Sequence, residues 1–181
     1  TPLPSPTSTP LVINVNIVFP DKNLLNRGTP PYEKAVTREI LSSVNPIGAV
    51  VDEYFKGPNA LEQSSGLIAI WNGFTGYDRI ELKNGILRIY LKGICLGNRS
   101  DYTIVQPLTA TVKQFDYVQF VKIYDENGST RNPFDAVDSA PVCLDPSFTP
   151  SPTITSTPTR TPTFTPSKTP TKTFTPSVTP T

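Results

Sequence analysis

The sequence contains no histidine and no methionine, and it has only two cysteines and one tryptophan among its 181 residues. Without histidine, no site can use an imidazole as a general base or a metal ligand, which excludes Ser-His-Asp hydrolysis, Cys-His proteolysis and His-bound zinc. Two cysteines are also too few for a zinc site built from cysteine alone. These absences leave a secreted or surface binding domain or an enzyme of a rarer kind, and we expect the former, with no catalytic residue, no metal ion and no cofactor.

A strong net charge is lacking as well, because the 16 Lys and Arg residues are nearly balanced by 15 Asp and Glu residues. No strong field is available to attract nucleic acid or an anionic membrane surface, so we expect neither as a partner. The sequence has no signal-peptide pattern and no run of 18 or more apolar residues, which predicts no membrane insertion within this chain. Because it starts at Thr1, we expect a mature or excised fragment.

Proline is abundant, with 21 residues, and it is concentrated at the two ends of the chain. Residues 147–181 contain 14 Thr, 8 Pro and 5 Ser, and residues 1–10 have a similar composition. Such segments carry too little apolar surface to offset the entropy of ordering, and their prolines favour extended backbone. We predict a Thr/Pro/Ser-rich linker at 1–10, a globular domain at 11–146 and a Thr/Pro-rich disordered stalk at 147–181, whose hydroxyls are candidate O-glycosylation sites.

Hydrophobic periodicity divides the globular segment into secondary-structure elements. Alternating apolar residues predict a half-buried strand over 11–19, and a second short strand is predicted over Ala35–Ile40. Asn45 followed by Pro46 is a typical helix start, and the apolar positions that follow recur at helical spacing. These inward positions are Ile47, Val50, Val51, Tyr54 and Phe55.

The clearest hairpin signal lies at Asn84 and Gly85, because this pair supplies the two positive-φ residues of a type I′ turn. Counting outward from the turn pairs Glu81 with Arg88 on one face. The other face then carries Ile80, Leu82, Leu87 and Ile89.

A second helix is predicted over Thr103–Phe115, and a final strand over Tyr117–Tyr124. Thr103 and Gln106 have capping-box spacing at the start of this helix. Its inward stripe is Ile104, Leu108, Val112 and Phe115. The element order β-β-α-β-β-α-β predicts an α+β fold in which two helices pack on a small sheet.

Several short motifs occur in order along this segment: Phe19-Pro20-Asp21, Phe55-Lys56-Gly57-Pro58, Glu62, Ser65-Gly66-Leu67, Asn84-Gly85, Leu108–Phe115, Val118–Tyr124 and Asn127-Gly128. Together they resemble the GerMN domain family, named for spore-germination lipoproteins. The most specific part is Gly57-Pro58 at a helix end, followed by Gly66 in the next loop. The shared glycines have structural roles, since Gly57 can take a left-handed helix cap and Gly85 and Gly128 serve turns.

The resemblance implies a fold similar to the ring-building motifs of secretion and sporulation complexes, and it implies no active site. Members of the family resemble one another in being exported, often lipid-anchored and non-enzymatic parts of cell-envelope assemblies. This sequence differs from the spore proteins in its single domain, its cysteines and its Thr/Pro-rich flanks. We therefore expect a bacterial surface relative whose host need not form spores.

The two cysteines, Cys95 and Cys143, most simply form one disulfide if the chain is exported. The alternatives are two buried free thiols or a reactive thiol, and the sequence offers no histidine that would activate a thiol. A disulfide would close a loop of roughly 50 residues, worth about 4 kcal/mol on the chain-entropy model.

Three aromatic residues, Trp71, Phe74 and Tyr77, lie in one glycine-containing loop. Such a cluster can stack on sugar rings or anchor a protein partner, and the alternative is that it caps the core beneath the loop. The acidic pair Asp52-Glu53 does not predict a glycosidase, because adjacent helix positions point about 100° apart.

The sequence therefore predicts a non-catalytic extracytoplasmic domain, secreted or at the cell surface, that is displayed on the stalk. We expect it to bind another envelope or surface protein or to assemble with copies of itself. The alternative is a carbohydrate-binding module for cell-wall glycan, attached to a larger surface protein.

Overall fold

A computed structural model describes residues 12–28, 30–41, 45–97 and 99–146, and the predicted linker and stalk lie outside these described residues. The elements in chain order are β1 (Val12–Pro20), α1 (Lys22–Arg27), β2 (Glu33–Leu41), α2 (Pro46–Lys56), α3 (Ala60–Ser64), β3 (Phe74–Lys83), β4 (Ile86–Gly93), α4 (Val105–Val112), β5 (Phe120–Tyr124) and a 3-10 helix (Val142–Leu144). The α+β class is confirmed.

Strands β1 and β2 form a two-stranded antiparallel sheet, as the alternation in the sequence predicts. The register runs from Val12 opposite Leu41 to Pro20 opposite Glu33. One face of β1 places Val15, Ile17 and Phe19 in the core, while the intervening residues are exposed or only partly buried. The sheet therefore has one apolar face, which the helices cover.

Strands β3, β4 and β5 form a second sheet, so the five strands are divided between two sheets. The hairpin register is confirmed, with Glu81 opposite Arg88 and a turn in which Asn84 and Gly85 have φ of 53° and 74°. Strand β5 pairs parallel to β4. On the predicted apolar face Leu87 and Ile89 of the central strand β4 are fully buried, whereas Leu82 of the edge strand β3 remains 43% exposed.

Helices α2 and α4 pack against each other and against β1, and α2 also contacts β2 and β3. Helix α2 begins as predicted, since the Asn45 side chain accepts a hydrogen bond from the Gly48 N–H at 3.1 Å. Helix α4 is shorter than predicted and ends before Phe115, which still packs against the core. The predicted inward residues Ile104, Leu108 and Val112 are fully buried.

The sequence interpretation missed the two short helices, α1 and α3. Helix α1 begins at Asp21, whose carboxylate accepts from the Asn23 and Leu24 N–H groups at 2.7 and 3.2 Å. Helix α3 begins with a capping box between Asn59 and Glu62. Both helices lack an apolar stripe long enough to be recognised by periodicity, so their caps were their only signals.

Candidate functional site

The three aromatic residues predicted as one binding cluster are separated by the fold. Phe74 is 2% exposed and belongs to the core, so for this residue the alternative interpretation, that the cluster caps the core, is the one that agrees with the structure. Tyr77 is partly buried and packs against the core, with its hydroxyl 3.5 Å from the Asp52 carboxylate. Burial, followed by the charge of Asp52, raises the pKa of Tyr77. Trp71 alone of the three is substantially exposed, at 40%.

A tight turn at Asn72 and Gly73 separates Trp71 from Phe74. Both turn residues have positive φ, 48° and 83°, and the Phe74 N–H donates to the Trp71 carbonyl at 2.9 Å. A Cβ at Gly73 would lie 2.1 Å from the Ile94 carbonyl oxygen, so only glycine fits there. The turn directs Phe74 into the core and leaves Trp71 at the surface.

Trp71 lies on one wall of a surface groove of about 380 Å³, which we call the Trp71 groove. Its other lining residues include Lys22, Lys56, Gly57, Pro58 and Gln63. The indole Cζ2 atom would be only 3.2 Å from a Cβ at Gly57, where φ is also positive. Glycine at this helix end therefore allows the indole to lie against the backbone.

Some of the residues that carry the GerMN resemblance, among them Asp21, Gly66 and Leu67, come together beside this groove. Asp21 pairs with Leu67 in an antiparallel bridge, and the Lys22 N–H donates to the Gly66 carbonyl at 2.9 Å. The Asp21 carboxylate also binds the Lys34 ammonium at 2.6 Å, which lowers the pKa of Asp21 although burial opposes the shift. Gly66 and Asp21 thus join the end of β1 to the loop after α3.

Arg38, which the sequence interpretation missed, fastens the corner between α2 and α3. Its Nη2 donates to the Gly57 carbonyl at 2.8 Å and to the Glu62 carboxylate at 2.7 Å. Its Nη1 donates to the Glu53 carbonyl and carboxylate at 3.1 and 3.3 Å. Arg38 therefore fixes the helix end that forms one wall of the Trp71 groove.

A second surface feature, the segment 131–140, was also missed; we call it the Phe134 loop. Its ends are joined by a hydrogen bond from the Arg131 N–H to the Ala140 carbonyl at 2.9 Å. Phe134 is 94% exposed, and Val137 is exposed as well. Because proline and polar residues surround Phe134, the sequence shows no apolar periodicity that would single it out.

The Phe134 loop is fastened to β5 by a buried lysine. The Lys122 ammonium donates to the carbonyls of Asn132 and of Val137, the latter at 3.2 Å, and Lys122 is fully buried. Burial lowers the pKa of Lys122, while the nearby Asp135 and Asp138 carboxylates oppose the shift. Because side chains alternate along a strand, Lys122 and Val121 point to opposite faces of β5. The Phe134 loop covers the face that carries Lys122 and so removes this lysine from solvent.

Asp138 provides further anchors for the same loop. Its carboxylate accepts from the Val121 N–H at 2.8 Å and binds the Lys113 ammonium at 2.5 Å. The Thr130 and Ser139 hydroxyls are hydrogen-bonded to each other at 2.8 Å beneath the loop. Several polar contacts thus fix the conformation of the Phe134 loop.

The structure pairs Cys95 with Cys143 in a disulfide, with their Cα atoms 6.3 Å apart. The two joined segments also approach each other closely at Gly97, where a Cβ would lie 2.1 Å from the Cys143 carbonyl oxygen. The glycine and the disulfide together hold the 3-10 helix against the segment that follows β4.

Two of the acidic residues, Glu53 and Asp125, have structural contacts. Glu53 binds Arg38 and Lys56. Asp125 accepts from the N–H groups of Asn127 and Ser129 at 3.0 and 2.8 Å, which forms the turn that contains Gly128. Within the described ranges, no group of three or more acidic, Cys or His side chains could hold a metal ion. The helices of that same part of the chain are all too short or too polar to cross a membrane.

Neither a protein-family model nor a curated protein matches the sequence. Among solved structures, the chain is similar to the tandem GerMN domains of the sporulation protein GerM from Bacillus subtilis, with a TM-score of 0.47 and 16% identity over 65% of this chain and 40% of that one. It is also similar to the first GerMN domain of GerM (TM-score 0.44, 19% identity, 74% of this chain and 96% of that one). A lipoprotein from Clostridium perfringens is a further match (TM-score 0.40, 17% identity, 76% and 93%).

Two of these three structures are GerMN domains, the family that the sequence motifs resemble. The chain spans less than half of the tandem GerM structure.

Proposed function

We propose that this is a GerMN-like, non-catalytic interaction domain that acts outside the cytoplasm and binds another protein of the cell envelope through the Phe134 loop. The observation that carries the proposal is the exposure of Phe134 on a loop that is fixed from beneath by Lys122. The partner so defined includes a second copy of this chain, in which case the crosslinked product has twice the mass of the chain.

An aromatic side chain that is almost entirely in solvent is unfavourable by itself, since burying a Phe side chain contributes about 2 kcal/mol. The contacts of Lys122 and Asp138 hold the loop in one conformation before any partner arrives. A fixed loop loses little conformational entropy on binding, so more of the gain from burying Phe134 is retained. Aromatic residues displayed in this way are frequent centres of protein interfaces.

The neighbours of Phe134 indicate the chemistry of the partner surface. Val137 adds apolar area, and Asp135 adds a carboxylate directly after Phe134 in the chain. A complementary surface would have an apolar pocket with Lys or Arg at its rim, because desolvated carboxylates require a cationic or hydrogen-bonding partner.

The disulfide supports a location outside the cytoplasm. Disulfides persist in oxidising compartments and are rare in the reducing cytosol. The Thr/Pro-rich composition of residues 147–181 is suited to a spacer between this domain and a surface.

Site-specific photo-crosslinking on the full chain in its native cells tests the proposal. A photoreactive phenylalanine analogue at position 134 should give a discrete crosslinked product, whose mass is twice that of the chain if the partner is another copy. The matched control places the same analogue at Leu61, which is 81% exposed on α3. Products from both positions alike, or from neither, would contradict the proposal.

A Phe134→Ser variant provides a second measurement. Because Phe134 makes almost no contact with the domain, its thermal unfolding should change by less than about 0.5 kcal/mol, while the crosslink from a photoreactive analogue at position 137 should disappear. A clear loss of stability would show that Phe134 serves the fold rather than a partner.

A further inference from the structure

The Trp71 groove combines an aromatic wall with a floor of small residues. Trp71 is partly exposed, and its six-membered ring lies against Gly57, which fixes the position of the indole. Pro58 and Ala69 complete the apolar part of the lining. A ring of this kind, held by backbone rather than by flexible side chains, is a ready surface for the apolar face of a sugar.

Hydrogen-bonding groups in the groove are available for a ligand. The indole N–H of Trp71 has no acceptor among the described residues. The Gln63 side chain donates to the Pro58 carbonyl at 2.7 Å, which leaves its amide oxygen without a protein donor in the same described ranges. The groove therefore offers one donor and one acceptor to ligand hydroxyl groups.

The charge of the groove has one sign. Lys22 and Lys56 line it, and none of its described lining residues is acidic. Lys56 is paired with Glu53, one turn earlier in the same helix α2, whereas Lys22 forms no ion pair within the described part of the chain. An ammonium group without a partner, beside a second one, favours an anionic ligand.

We propose that the Trp71 groove binds an acidic saccharide, a sugar carrying a carboxylate or a phosphate group. The sugar ring lies on Trp71, its hydroxyls bond to the indole N–H and the Gln63 amide, and its anionic group binds at Lys22 and Lys56. This inference does not depend on the proposed protein partner, since the groove shares no residue with the Phe134 loop.

Trp71 is the single tryptophan of the chain, so its fluorescence reports directly on the groove. The full chain would be titrated with a glucuronate-containing tetrasaccharide, with a glycerol-phosphate oligomer and with neutral chitotetraose. A saturable change in Trp71 fluorescence with one acidic probe supports the proposal and identifies the anionic group that the groove prefers. If both acidic probes cause such a change, the groove accepts a carboxylate or a phosphate. Equal binding of chitotetraose, or no response to any probe, would overturn it.

Lysine variants separate a local site from general attraction. Removal of one ligand-facing charge by Lys22→Ala should weaken binding of the acidic probe about fivefold, with a similar loss for Lys56→Ala. Lys83→Ala is the matched control, because this exposed lysine ends β3 outside the groove and its loss makes the same change in net charge. An equal loss with Lys83→Ala would show that no site is present.

A Trp71→Ala variant, followed by calorimetry, tests the aromatic wall. Binding of the acidic probe should fall by about tenfold or more, which corresponds to about 1.4 kcal/mol. Circular dichroism of the same variant checks that the domain is folded. Unchanged affinity in a folded variant would rule out stacking on the indole.

Discussion

At the scale of single residues, two cationic side chains, the partly buried Arg38 and the fully buried Lys122, fasten irregular segments. Arg38 holds the end of α2 through the Gly57 carbonyl, and Lys122 holds the Phe134 loop through two carbonyls. Both cations bind backbone carbonyl oxygens, which any residue can supply, and Arg38 also binds the Glu53 and Glu62 carboxylates. The fastening is therefore visible in the structure and not in the local sequence around the loop that is held.

Tyr54 gives a residue-scale prediction on pH. Its ring stacks on Phe19 at a centroid distance of 5.7 Å, and its hydroxyl donates to the Ile70 carbonyl at 3.1 Å. Burial raises the pKa of Tyr54 far above its ordinary value. Above pH of about 10 the phenol is ionised in the unfolded chain and still protonated in the folded one. The free energy of unfolding should therefore fall as the pH rises beyond this value.

Urea unfolding at pH 8 and pH 11 checks this expectation. Tyr54→Phe should cost about 1 kcal/mol at pH 8, through the lost hydrogen bond, and should then lose less stability than the original chain on going to pH 11. Burial and Glu33 also raise the pKa of Tyr102. Both proteins should therefore still lose some unfolding free energy between pH 8 and pH 11. Identical declines in the two would contradict the assignment to Tyr54.

At the scale of elements, the start of α4 depends on a residue more than 30 positions earlier in the chain. The Asn72 side chain accepts from the Ile104 N–H at 2.8 Å and donates to the Leu96 carbonyl at 3.2 Å. Its positive φ is one that asparagine adopts more readily than most residues. Asn72→Ala should thus destabilise the domain by about 1 to 2 kcal/mol in thermal unfolding.

The control for this prediction is Asn72→Asp, which keeps the acceptor for Ile104 and replaces only the donor to Leu96. It should retain most of the stability that alanine loses, because an aspartate also satisfies helix N–H groups. Equal losses in the two variants would show that the contact with Leu96, rather than the helix cap, is the larger effect.

Elements with their own periodicity or turn residues were predictable from the sequence. The strands β1 and β2, the register at Asn84 and Gly85, and the cap of α2 all follow from residues close in the chain. Trp71 was identified as a candidate, but Lys22 was not, because it reaches the groove from a different segment. The sequence left open whether Phe74 faces solvent or the core, because the turn at Gly73, which directs it inward, depends on a close approach to Ile94.

At the scale of the whole described domain, helices connect the two sheets, and one disulfide connects two segments that follow strands of the second sheet. Helices α2 and α4 contact strands of the first sheet, and α2 also contacts β3 of the second. The segment after β5 returns along the edge of that strand, with Ser139 pairing beside Lys122. It then reaches Cys143, so the disulfide fixes the last part of the described chain to the segment after β4.

The disulfide yields the prediction at this scale. Its cysteines are 48 positions apart, and closing a loop of this length lowers the entropy of the unfolded chain by an amount worth about 4 kcal/mol at most. Replacing both cysteines by serine should lower the unfolding free energy by about 2 to 4 kcal/mol, and reduction of the original chain should lower it similarly. Denaturant titrations with and without reductant measure this change, and thiol labelling of the denatured, unreduced chain should find no free cysteine. If reductant left the midpoint unchanged, the segment 142–144 would be held by its packing and by the close fit at Gly97 instead of by the covalent bond.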